Sequence, residues 1–112
     1  MKDTAILVTR AGMGHADETL QMKLMVTYLK LLLGNGTIPG AICFYADGVK
    51  LAVEGSSVLE QLAELETRDC HLVLCQTCLN HFGLIEKVKV GIVGGMGDIL
   101  AVQVTATKVI SL

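Results

Sequence analysis

Short runs of β-prone apolar residues alternate with helical stretches along the whole chain, and glycine stands at most of the junctions. The series opens with Ala5-Ile6-Leu7-Val8-Thr9, an uninterrupted run of the kind found in strands buried on both faces. Residues 41–46, 70–74 and 88–93 repeat the pattern, and Val109-Ile110 is a last short strand. Between them, residues 16–33 read as a helix in which Lys23, Thr27 and Lys30 form one narrow polar stripe. The rest of that helix is apolar and is expected to be covered on most sides, with Gly34-Asn35-Gly36 as its stop. Ser57-Val58-Leu59-Glu60 carries a capping-box pattern that opens a second helix, to about residue 67. Residues 76–82 form a short helix closed by Gly83, and a further helix runs from Asp98 to about Thr105. Parallel strands need crossovers, so this alternation implies helices on both faces of a sheet. The expected fold is therefore α/β: a single flavodoxin-like three-layer domain over residues 1–112, with a five-stranded, mostly parallel sheet.

Composition narrows the function classes. With 112 residues, 52% hydrophobic, the chain has room for one domain and one core, and disorder is excluded because so much surface can be buried. No apolar run approaches the roughly 18 residues of a membrane span. Only 18% of residues are charged, which leaves apolar surface outside and points to a homo-oligomer. The net charge is −2 and the nine Lys and Arg are scattered, so neither nucleic acid nor anionic lipid finds an electrostatic footprint. The N-terminal apolar run is short and lacks the cleavage site of a signal peptide. A cytoplasmic location is expected, where Cys43, Cys70, Cys75 and Cys78 remain thiols.

In such sheets ligands bind beyond the carboxyl ends of the strands. Here those ends are residues 10–15, Asp47-Gly48, residues 75–78 and residues 94–98. Cys75-Gln76-Thr77-Cys78 lies at a strand-to-helix junction, where unpaired N–H groups and the helix dipole favour a thiolate. A thiolate attacks sulfur, which suits Cys75 as nucleophile or sulfur carrier, with Cys78 one turn on as a resolving thiol. Two buried thiols acting as small hydrophobes are the alternative. Cys75, Cys78 and His81 lack the fourth ligand of a structural zinc site, so no metal is expected. Cys43 and Cys70 fall in strands and read as core. The single proline, Pro39, precedes the second strand and cannot face the cysteine pair as in thioredoxin.

Gly12-Met13-Gly14 is half of a dinucleotide fingerprint, with Asp17 where the third glycine belongs. Gly94-Gly95-Met96-Gly97 offers backbone N–H groups to an anion; a tight turn is the alternative for both. Arg10 and His15 either bring charge or a proton near Cys75 or are solvated loop residues. Gly14, His15, Asp47, Gly95, Met96 and Gly97 are thus the candidate substrate- or anion-binding residues, and no cofactor is implied.

Several segments together resemble the DsrE/DsrF-like (YchN-like) family of small sulfur-relay proteins, above all the DsrE-like domain of YedF-type selenium-metabolism proteins. They are Gly14 to Glu18, Asp47-Gly48-Val49-Lys50-Leu51, Glu54-Gly55-Ser56, Cys75-Gln76-Thr77-Cys78-Leu79 with Gly83, and Val90-Gly91 with Met96-Gly97-Asp98-Ile99. The resemblance covers nearly the whole chain. It implies a cysteine eight residues before a glycine that accepts sulfur as a persulfide, the position of Cys75 before Gly83. Cys78 matches a second cysteine of some relatives, while Gln76 stands where many have glycine. The family further implies a parallel five-stranded fold, trimers or hexamers, and sulfur donor and acceptor proteins as partners. These 112 residues contain no fused sulfur-acceptor domain of the YedF kind, which counts against a selenium role, while the sequence leaves open whether sulfur or selenium is handled. A non-catalytic subunit that binds a small ligand or partner, with purely structural cysteines, is the alternative function.

Overall fold

A computed structural model describes residues 1–112. Strands β1 (Thr4–Val8), β2 (Ala41–Phe44), β3 (His71–Cys75), β4 (Ile92–Gly94) and β5 (Lys108–Ser111) alternate with helices α1 (Glu18–Gly34), α2 (Leu59–Thr67), α3 (Gln76–His81) and α4 (Met96–Thr105). The sheet has the order β4-β3-β2-β1-β5, and every pairing in it is parallel. All residues of β1 and β2 are buried, as their unbroken apolar runs require.

The order of the strands fixes where the helices go. From β1 to β4 each connection steps the same way across the sheet, so right-handed crossovers place α1, α2 and α3 on one face. The last connection runs back across the whole sheet to β5, and the same rule puts α4 on the opposite face. On the first face Ile6, Val8, Ile42 and Phe44 pack against Met25 and Leu29 of α1 and Leu62 of α2. The register Ile42↔Leu72 and Phe44↔Leu74 adds two leucines to the same layer, since residues level across parallel strands share a face.

Local chemistry sets the boundaries, and several differ from the sequence reading. The Asp17 carboxylate accepts from Leu20 N–H at 3.1 Å and starts α1, two residues later than expected. That helix buries only Met25, Leu29 and Leu32; Leu20, Leu24 and Leu31 face solvent, so its apolar surface is not covered on most sides. The capping box at Ser57 does not form. Ser56 Oγ accepts from Val58 N–H at 3.2 Å and α2 begins at Leu59 without a side-chain cap. β2 stops at Phe44 because Ala46 turns left-handed, at φ 51°. The fourth strand shrinks to three residues: Gly91 at φ 84° breaks the run, and Val88 bridges Val53 instead. No helix is long and apolar enough to cross a membrane.

Candidate functional site

β3 and β4 are adjacent and paired, with Cys75 opposite Gly94. Beyond them the chain diverges, α3 leaving toward one face and α4 toward the other. That divergence is the topological switch point, where the loops part and open sheets form ligand crevices. The cysteine pair lies on it.

Cys75 is the last residue of β3 and the N-cap of α3. Its place in the sequence predicts a thiol facing the helix N–H groups, but the side chain makes no capping hydrogen bond and is only 1% exposed. Cys78, one turn on, is half-buried, and its Sγ accepts a hydrogen bond from the Ala46 N–H at 3.1 Å. The backbone donor that reaches a sulfur therefore comes from the end of β2, and the sulfur it reaches is Cys78.

Ala46 can make this bond because of a sequence of constraints from β1. Tyr45 N–H donates to Val8 O at 3.1 Å, and Gly48 N–H donates to Tyr45 O at 3.0 Å. Gly48 is pressed against the Val8 carbonyl, where a Cβ would lie 2.7 Å from its carbon. This tight turn forces Ala46 to φ 51°, a conformation that costs a non-glycine residue about 1–2 kcal/mol. Strain of this kind persists only where the surroundings over-determine it. The 3-10 helix Ala46–Ala52 follows directly.

The electrostatics separate the four thiols. Burial pushes Cys43 up to about 11 and Cys70 up to about 12, which leaves both protonated and inert at neutral pH. Cys70 lies just ahead of β3 rather than in it. The Cys78 thiol is also raised, first by burial; the Ala46 amide pulls it down, and hydrogen bonding and charge repulsion from Cys75 push it up again.

The other predicted site residues fall into two separate groups. His15 and Asp47 line an open cleft with Arg10, Glu18 and Lys50 beyond β1 and β2, whereas Gly14 stays out of it as a turn at φ 78°. Asp47 pairs within the cleft, its Oδ1 lying 2.8 Å from Lys50 Nζ. Gly95, Met96 and Gly97 stand beyond β4, with β3 and β2 between them and β1. Met96 and Gly97 already belong to α4, and Gly95 N–H donates to Asp98 Oδ2 at 2.8 Å. The carboxylate occupies that one donor and sets a negative charge beside the turn.

Two contributions escaped the sequence reading. The Ala46 amide carries no side-chain signature. Lys50 Nζ lies 4.3 Å from the centre of the Phe82 ring, a cation–π contact that ties the 3-10 helix to the end of α3. The Lys50–Phe82 contact spans too many residues to show in a local pattern.

A model of the DsrE/DsrF-like family matches residues 2–112. Among solved structures, the chain is similar to the protein of unknown function MTH1491 from Methanobacterium thermoautotrophicum, with a TM-score of 0.70 at 16% identity over 97% of each chain. It is similar to the ychN protein from E. coli, with a TM-score of 0.68 at 16% identity over 97% of this chain and 98% of that one. BT1422 from Bacteroides thetaiotaomicron, a conserved protein of unknown function, gives a TM-score of 0.68 at 17% identity, covering 98% and 95%. At these identities the three structures establish the shared fold. No curated protein matches the sequence.

Proposed function

The chain belongs to the DsrE/DsrF-like family, and from that premise we propose that it relays sulfane sulfur through the Cys75–Cys78 pair, from a donor protein to an acceptor protein. The observation that carries this reading is the Ala46 N–H held on the Cys78 sulfur, 3.1 Å away, at the point where α3 and α4 part. A thiolate there attacks the outer sulfur of a donor persulfide, the donor thiolate leaves, and a persulfide remains on the protein. The cytoplasm, which keeps thiols reduced, is the compartment this chemistry needs. The relaying unit is a homo-oligomer, a trimer or hexamer as in the family. Its support is the exposed apolar face of α4, with Met96, Leu100 and Val104 outward beside Ile92.

Mass spectrometry of the reduced chain after incubation with a sulfane sulfur donor tests the proposal. A gain of one sulfur atom on the cysteine pair, or sulfide released by that pair, is expected; neither on a demonstrably reduced protein would end the reading. The burial of Cys75 favours a second reading, a binding subunit whose cysteines only pack. It predicts that alkylating reagents leave both thiols of the pair untouched in the folded chain.

A further inference from the structure

The two thiols of the pair differ in access, and that difference orders the chemistry. Cys75 is 1% exposed and has no route to a donor protein. Cys78 is half-buried, flanked by the exposed residues Ala46, Gln76 and Thr77, and its Sγ is fixed by the Ala46 amide. The reactive group nearest to Cys75 along the chain is Cys78, one turn into the helix that Cys75 caps. A cysteine pair one helical turn apart also has the separation that a disulfide spans.

We propose that Cys78 takes up the sulfur and that Cys75 then reduces it, so that the protein acts as a persulfide reductase that releases hydrogen sulfide when no acceptor thiol is present. The inference rests on the relay reading above and assigns each thiol of the pair its step. In the first step the Cys78 thiolate attacks the outer sulfur of a donor persulfide; the donor's S–S bond breaks and its thiolate departs with the electron pair. The Ala46 N–H, already on Cys78 Sγ, stabilises the attacking thiolate. In the second step the Cys75 thiolate attacks Cys78 Sγ, forming the Cys75–Cys78 disulfide. The bond to the outer sulfur breaks and that sulfur leaves as HS⁻. Two thiols are oxidised to one disulfide while one sulfane sulfur is reduced to sulfide, so a single turnover balances with no other reagent. A dithiol reductant resets the pair for the next.

The assignment reverses the order that family resemblance implies for these two positions, in which Cys75 accepts. Buried Cys75 suits the second step because an intramolecular attack needs no access from outside, and a protein acceptor is kept from it.

The test uses the full reduced chain with glutathione persulfide, a sulfide-selective electrode, and intact and peptide mass spectrometry. The wild-type protein is expected to release one sulfide per chain and to end with a Cys75–Cys78 disulfide. Cys75→Ser should hold a stable persulfide on Cys78 and release no sulfide; Cys75→Ala, which brings no hydroxyl into the buried site, repeats the measurement. Cys78→Ser should take up no sulfur. Sulfur found on Cys75 in the Cys78→Ser protein would overturn the assignment and leave the relay intact, as would a wild-type persulfide that persists without forming the disulfide. Failure of the wild-type and both Cys75 variants to take up sulfur or release sulfide would sink the relay itself.

Discussion

Replacing Gly48 with alanine tests whether the end of β1 holds the Ala46 amide on the Cys78 sulfur. The added Cβ would lie 2.7 Å from the carbonyl carbon of Val8, about 1 Å inside an ordinary carbon–carbon contact. Backbone stands on both sides, so no flexible side chain can give way. The Val8 carbonyl must retreat, yet it also accepts the Tyr45 N–H at 3.1 Å. Overpacking of this sort costs about 1–3 kcal/mol, and the weakened hydrogen bond adds about 1 kcal/mol. A total of about 2–4 kcal/mol corresponds to a melting temperature lower by roughly 8–16 °C for a domain of this size. The same movement pulls the Ala46 N–H from Cys78 and removes the one influence that lowers that thiol, so Cys78 should alkylate more slowly at fixed pH. Circular dichroism melts and iodoacetamide labelling, the latter well below the transition, read the two effects separately. An unchanged melting temperature would refute the steric argument. A lower one with Cys78 labelling unaltered would refute the link between β1 and the site.

Three further outcomes follow from the same geometry. Ala46→Gly keeps the N–H while relieving the left-handed strain, so urea unfolding should show a gain of up to about 1 kcal/mol with sulfur uptake retained; a loss of stability would mean that Ala46 is not strained in solution. Cys43 and Cys70, raised to about 11 and about 12 from 9.0, hold their protons more tightly in the folded chain. Their contribution is intact below pH 9 and is lost as pH rises through the folded values, by about 1.4 kcal/mol per pH unit for each thiol. Unfolding free energies between about pH 8 and pH 10.5 should therefore fall, less steeply in Cys43→Ala; a flat profile would contradict the burial argument. Val104 is 74% exposed on α4, so Val104→Asp should cost a monomer under about 0.5 kcal/mol but dissociate the oligomer in sedimentation. A wild-type monomer at micromolar concentration would contradict the oligomer.

The layers of the fold were legible in the sequence because unbroken apolar runs such as Ala5-Ile6-Leu7-Val8 leave no polar face for water. What escaped was set by contacts between distant residues. Ser57 and Glu60 satisfy the capping pattern, but Ser56 reaches Val58 first. Gly95 to Gly97 carry the spacing of an anion-binding turn, and Asp98, read as the first residue of the helix, takes the Gly95 N–H from within. Leu20, Leu24 and Leu31 look like core in a helical pattern, and only the packing of α1 through Met25, Leu29 and Leu32 shows that they lie outside. The surplus of apolar residues therefore lies outside on α1 and, across the sheet, on α4.

The cysteine pair shows the same division at finer scale. A strand followed by Cys75-Gln76-Thr77-Cys78 marks the carboxyl edge of the sheet, but a sequence pattern gives that edge to every strand end alike. Strand order makes one of them different. Because β4 is followed by a helix that returns across the sheet to β5, the connections after β3 and β4 must leave on opposite faces. Cys75, paired with Gly94, is placed between them by topology alone. The same strand order sets β2 beside β3, and this brings the strained Ala46 within reach of Cys78. The amide that holds the Cys78 sulfur is thus placed by strand order and by a glycine under the end of β1, residues that share no local pattern with the cysteines.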